Sequence, residues 1–199
     1  MNCTGYRYYL ERQRHDLALR MIRHGARTCT IRACTGLSED RIRRLYKTFA
    51  AEHEALAARR RRGKSPRQTV FFTRSTRLQY ESSLLAAVLT AFGLLSSAPP
   101  RPGRPWQAFS VGFAERFCDA YETHLQLVAS SRISFEHAWF LLQLLHSDSG
   151  LALTRCRRCD TRYVRDATDP LHRACPTCKL QALPARRCAP ERSPVPLRA

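Results

Sequence analysis

The sequence is short of negative charge. Sixteen Asp and Glu stand against 34 Lys and Arg, leaving a formal net charge of +18. A surface of that sign disfavours cationic partners and attracts polyanions; nucleic acid is the commonest of these, with acidic membrane surfaces as the competitor. Long apolar runs are also missing. The longest, Leu84–Leu95, has 12 residues and includes Thr90 and Gly93, short of the roughly 18 needed to span a bilayer. The opening stretch "MNCTGYRYYLERQRHD" has no apolar h-region, so no signal peptide is expected and the chain reads as cytoplasmic.

Complete catalytic motifs are lacking as well. "RRGKS" resembles the end of a phosphate-binding loop, but that motif needs a Gly five residues before Gly63, and position 58 is Ala. "FEHAW" lacks the second His of a zinc-protease helix, and no Ser-His-Asp order suggests itself. An enzyme is not expected.

What the chain does have is unevenly placed. Residues 1–75 hold 18 Lys and Arg against 6 Asp and Glu, residues 76–150 hold 5 against 6, and residues 151–199 hold 11 against 4. Two basic ends flank a near-neutral middle. At 199 residues with 44% hydrophobic content, such a chain can bury about 70% of its unfolded surface. Charge depletion over a long apolar segment is what a protein-partner surface requires.

The periodicity is helical. Leu17, Met21 and Ile22 form one stripe, and Ile42, Leu45, Tyr46 and Phe49 form a second at i, i+3, i+4, i+7. Between them "CTGLSED" reads as a break, with Gly36 ending one helix and Ser38 capping the next, whose first turn holds Glu39 and Asp40. Leu84, Leu85, Val88, Leu89 and Phe92 line a helix of the middle part. Phe109, Phe113, Phe117, Tyr121 and Leu125 line another, and Ser134 caps a third containing Trp139, Leu142 and Leu145. "SSAPPRPGRP", residues 96–105, is a Pro-rich connector. The expected fold is mainly α. Its parts are an N-terminal arm (1–14), a basic helix-turn-helix-like segment (15–75), a helical core and partner-binding region (76–150), a small four-cysteine zinc module (151–183) and a disordered tail (184–199).

Nine cysteines is an odd count, and in a reducing compartment clustered thiols mean metal or catalysis more often than disulfides. Two C-x-x-C pairs, Cys156/Cys159 and Cys175/Cys178, stand 15 residues apart. Each C-x-x-C turn aims two sulfurs at one centre, and a second after about 15–20 residues completes a tetrahedron of thiolates. The competing readings are two disulfides or an iron–sulfur cluster. A thioredoxin-like role would need a βαβ unit, and none is visible. Four thiolates close the shell, so one structural Zn2+ per chain is expected. The zinc would shape a segment too polar to fold on its own, since metal binding supplies roughly 10–16 kcal/mol of folding free energy. Arg155, Arg157, Arg158, Arg162, Arg165 and Arg173 would project from it. Arg157 and Arg158 are the candidate phosphate contacts; a basic surface that only aids solubility is the alternative.

The N-terminal segment offers a second nucleic-acid surface. Arg43, Arg44 and Lys47 fall opposite the Ile42/Leu45/Tyr46/Phe49 stripe, where a recognition helix would meet a groove. The "RRRR" run at 59–62, with Arg60 in it, is either a phosphate clamp or a solvated loop. The residues fit a DNA-binding activator subunit, with an RNA-binding or ribosome-associated zinc-ribbon protein as the alternative. A nuclease carrying a zinc ribbon is a distant third. The long neutral centre favours the first.

"RHGART", "TGLSEDRIRRLYK", "RGKSP", "AWFLLQLL", "LALTRCRRCDTRYV" and "CPTC" follow one another in this order over roughly residues 15–180. In that order they resemble the FlhC family, the C subunit of the bacterial flagellar master regulator. The chain departs from the family pattern at "RQTVFFTRSTRL", and its connector at 96–105 looks like an insertion. The resemblance implies a mainly helical, cytoplasmic transcriptional activator with zinc on Cys156, Cys159, Cys175 and Cys178. It also implies a hetero-oligomer with a D subunit (FlhD) on double-stranded promoter DNA of flagellar operons, where RNA polymerase is recruited.

Overall fold

A computed structural model of the chain describes residues 3–52, 66–95, 110–147, 150–169 and 174–182. The described residues form seven α-helices, one 3-10 turn and a two-stranded hairpin. Phe109, Arg60, Arg173, the connector 96–105 and the tail 184–199 lie outside them.

Helix α1 (Cys3–Arg23) buries only its second half, through Leu17, Ala18, Met21 and Ile22. The sequence stripe begins near this half, whereas the helix itself starts at Cys3, where Tyr6, Tyr8 and Tyr9 stand exposed. Helix α2 (Thr28–Thr35) ends as expected. Gly36 sits at φ 70° and donates its N–H to the Arg32 carbonyl, a left-handed cap that costs glycine little. Ser38 Oγ then accepts the Arg41 N–H at 3.4 Å to open α3 (Glu39–Glu52). Ile42, Tyr46 and Phe49 of α3 are buried, and the Tyr46 hydroxyl donates to the Ala26 carbonyl at the α1–α2 turn. Glu11 of α1 accepts from Arg41 at 2.7 Å, closing the three-helix unit from outside.

After a 3-10 turn (Thr69–Phe72), helix α4 (Thr76–Ala91) opens on Ser75, whose Oγ accepts the Leu78 N–H at 3.2 Å. Helix α4 is buried nearly all round, as a helix does when every face meets another element. Leu78, Leu85 and Leu89 are fully buried, so a Leu85→Ala change should cost about 2–5 kcal/mol. Its polar residues are satisfied where they stand. Glu81, 2% exposed, accepts from Arg77 Nε at 3.0 Å and from the Arg132 N–H at 3.0 Å. Ser82 Oγ donates to the Leu78 carbonyl at 2.7 Å.

Two further helices pack around this axis. Helix α5 (Val111–Leu127) is capped by Ser110 and buries Phe117, Tyr121 and His124. Helix α6 (Phe135–Ser147) starts at Ser134, whose Oγ accepts the His137 N–H at 3.4 Å, and buries Trp139, Leu142 and Leu145. Phe117, Tyr121, Phe135 and Trp139 meet edge to face with ring centroids 5.0–5.2 Å apart, the geometry their quadrupoles prefer.

The chain closes with an antiparallel hairpin, β1 (Leu151–Arg155) and β2 (Arg162–Asp166), in the register Leu153↔Val164, and with α7 (Pro176–Ala182). Leu151 and Val164 join the helical core, while Tyr163 packs with the cysteines. Strand β2 therefore separates two cores, one on each face.

Candidate metal centre

The first C-x-x-C turn follows β1. The Cys156 N–H donates to the Thr161 carbonyl at 3.0 Å, and the Asp160 N–H to the Cys156 carbonyl at 2.9 Å. Asp160 takes a left-handed φ of 55°, which Asp tolerates better than most non-glycine residues. The turn also aims a main-chain donor at a sulfur, Arg158 N–H to Cys156 Sγ at 3.4 Å. The second turn enters α7, with Pro176 at its first position, where the missing N–H is no loss. There the Cys178 N–H reaches Cys175 Sγ at 3.4 Å.

Helix α4 contacts both β2 and α7, and the two turns meet. Cys156, Cys159, Cys175 and Cys178 place all four sulfurs within 4.8 Å of one another. Cys156 and Cys178 are 4.0 Å apart, and Cys159 and Cys175 3.4 Å. A thiolate tetrahedron with bonds of about 2.3 Å sets its sulfurs about 3.8 Å apart, so the donor set fits a single ion. Among the described residues no other group of His, Cys, Asp or Glu gathers this way.

The electrostatics favour a cation there. Backbone donation from Cys175 and Arg158 holds the Cys156 thiol down to about 6, and hydrogen bonding with Thr161 lowers Cys159. Burial raises Cys175, while Cys178 is pushed up to about 12, first by its contact with Cys159. Two sulfurs thus lean toward the thiolate and two toward the thiol, and ionising all four would add mutual repulsion. A divalent ion removes that repulsion and displaces the remaining protons. Two buried thiols away from the cluster differ. Burial, the leading cause for both, pushes Cys118 up to about 12 and Cys34 higher still, which leaves them inert.

The described residues expected to meet DNA lie on two elements. Arg157 and Arg158 are exposed on the first cysteine turn, and Arg155 lies directly across from Arg162 in the hairpin. Arg43, Arg44 and Lys47 are exposed on α3, opposite its buried stripe. Arg43 is not idle there: its guanidinium pairs with Glu39 and Asp40, each at 3.1 Å. A phosphate or base contact must displace those exposed pairs, which hold by at most about 1 kcal/mol each.

Sequence reasoning missed two polar residues that fix the N-terminal unit on the core. Buried Glu136 of α6 accepts the Arg27 N–H at 2.8 Å and the Thr30 hydroxyl at 3.1 Å. It thereby supplies from α6 the carboxylate of a capping box that α2 does not carry itself. Glu122 of α5 accepts from Arg20 at 2.6 and 2.9 Å and contacts His24 Nε2 at 2.7 Å. The "FEHAW" run held a visible Glu, but no local pattern announces a partner about a hundred residues away.

No family model matches the chain. Over 174 residues the chain is 26% identical to the flagellar transcriptional regulator FlhC of Verminephrobacter eiseniae (strain EF01-2), covering 84% of this chain and 82% of that protein. The motifs read from the sequence and this similarity point the same way, and along that length the chain is FlhC-like.

Proposed function

We propose that this chain is the DNA-binding C-type subunit of a flagellar-type transcription regulator, shaped by one zinc ion per chain and working beside a D-type subunit. The observation that supports the reading most is the closed four-cysteine cluster in a basic, FlhC-like chain. Four sulfurs leave no open coordination position, so the ion's task is to fold the tail. Zinc is the ion such a thiolate tetrahedron takes where no redox chemistry is needed. Arg157 and Arg158 then face outward from a fixed turn to meet phosphates, and Arg43, Arg44 and Lys47 present the outer face of α3 to a groove. Arg60, outside the described residues, adds to the same electrostatic field. The flagellar operon promoters are the DNA targets, and RNA polymerase is recruited there by the assembly. The neutral helical middle is the partner's share of the surface. No helix among the described residues is long and apolar enough to cross a membrane, and the reading is of a cytoplasmic binding protein, not an enzyme.

The test is co-production with the candidate D subunit, followed by sizing, elemental analysis and DNA binding. One zinc per chain, a defined hetero-oligomer and preference for promoter over scrambled DNA are expected. A soluble monomer that selects promoter DNA as tightly without the second subunit would overturn the partner claim. Iron, or no metal, would overturn the zinc claim.

A further inference from the structure

Strand β2, which lies between the two cysteine pairs, is bolted to the central helix by two buried polar side chains. Val164 sits in the middle of β2, and both its main-chain groups are taken by α4: its N–H donates to Ser83 Oγ at 3.0 Å, and its carbonyl accepts from Gln79 Nε2 at 3.0 Å. Ser83 and Gln79 are 9% and 8% exposed, one helical turn apart on the same face. The other amide atom of Gln79 also binds: its Oε1 accepts Lys179 Nζ at 3.4 Å, from the residue next to Cys178 on α7. The outer edge of a two-stranded hairpin would otherwise need water or another strand. Neighbours in β2 point opposite ways, Tyr163 to the cysteines and Val164 to the helical core. Helix α4 thus holds β2 at Val164 and α7 at Lys179, the two elements that follow the first cysteine turn and carry the second.

We propose that Gln79 and Ser83 are positioning residues for the four-cysteine centre, and that through them metal loading and the order of α4 form one cooperative unit. This rests on the reading that the four cysteines hold a metal. When the ion leaves, the two cysteine turns separate, β2 loses its fixed register, and the Val164 clamp on α4 opens. Conversely, opening the clamp lets the turns drift and the ion escape. A finger hung on a linker would lose its metal without any effect on the helices; here β2 is shared between the metal site and the core.

The experiment uses the full chain loaded with zinc, with release to a chromogenic chelator timed by stopped flow and amide exchange read along α4. In Ser83→Ala and Gln79→Leu, release should quicken about tenfold, the low end of what supporting residues contribute at metal sites. Ser83→Thr, which keeps the hydroxyl, should restore the wild-type rate. A purely structural defect would lower stability without that rescue in the release rate. If the variants do not fold, the wild-type chain suffices: stripping its metal should speed exchange at the α4 amides by at least tenfold. Metal bound normally, with α4 exchange unchanged on stripping or with release from Ser83→Ala at the wild-type rate, would overturn the proposal alone. A wild-type chain that binds no metal would refute the four-cysteine reading and the proposal with it.

Discussion

Replacing Glu136 by Ala should loosen the whole N-terminal unit from the core. Glu136 is 3% exposed and is the acceptor for both the Arg27 N–H and the Thr30 hydroxyl at the start of α2. Both bonds end on a carboxylate, so each costs about 1.5–3 kcal/mol when it is lost. Part of this is offset because the variant no longer buries a carboxylate. The net expectation is about 2–3 kcal/mol, or a melting temperature lower by about 5–10 °C for a chain of this size. Glu136→Gln keeps an oxygen toward Arg27 and should lose only about 1 kcal/mol. Thermal and urea unfolding measure the size of the effect. Amide exchange locates it, with protection falling at Ile31 and Cys34 of α2 before it falls in α4. A Glu136→Ala chain within about 0.5 kcal/mol of wild type, the range of ordinary surface changes, would refute the assignment of Glu136 as the cap of α2.

Other outcomes follow from the same geometry. Cys156→Ser or Cys178→Ser should release the metal, seen by elemental analysis, while far-UV circular dichroism keeps most of its helical signal. Arg43→Ala and Arg44→Ala should each cost about 1–3 kcal/mol on promoter DNA if they reach base edges, whereas Arg158→Ala should weaken all sequences alike. Equal, sequence-blind losses in titrations of promoter and scrambled DNA would remove the recognition role of α3. Hydrogen bonds from Arg20 first, and from His24, hold Glu122 down to about 2 against an ordinary value of 4.5. A lowered carboxylate stabilises the fold above its unfolded value, so this contribution is full above about pH 5 and is lost as pH falls toward 2. Partial exposure of the pair limits it to about 1 kcal/mol. The urea midpoint should drop between pH 5 and 3 in the wild type and drop less in Glu122→Gln.

The helices were legible because their cause is local. The Ile42/Tyr46/Phe49 stripe, Gly36 after α2 and the Ser134 cap each act within a turn or two, and the structure places them accordingly. The cysteine spacing was legible for a related reason: few arrangements of two C-x-x-C turns suit anything but one ion. What stayed hidden depends on distant partners. Glu136 lies 109 residues from Arg27, and Gln79 lies 85 from Val164. Neither shows in a periodicity that only asks whether a side chain is apolar. The hairpin was missed because two five-residue strands with three Arg between them carry a weak alternation signal. The first turns of α1 were missed because an exposed helical stretch with three tyrosines has no stripe to read.

That this chain brings two basic surfaces to specific DNA is tested most directly by titrating the co-produced assembly against promoter DNA and scrambled DNA of equal length at 50 and 200 mM salt. If about six to ten phosphates are neutralised, affinity for both should fall by roughly 10³–10⁵ across that range. The promoter should stay preferred at each salt concentration. Equal affinity for the two duplexes, or binding that ignores salt, would contradict the claim.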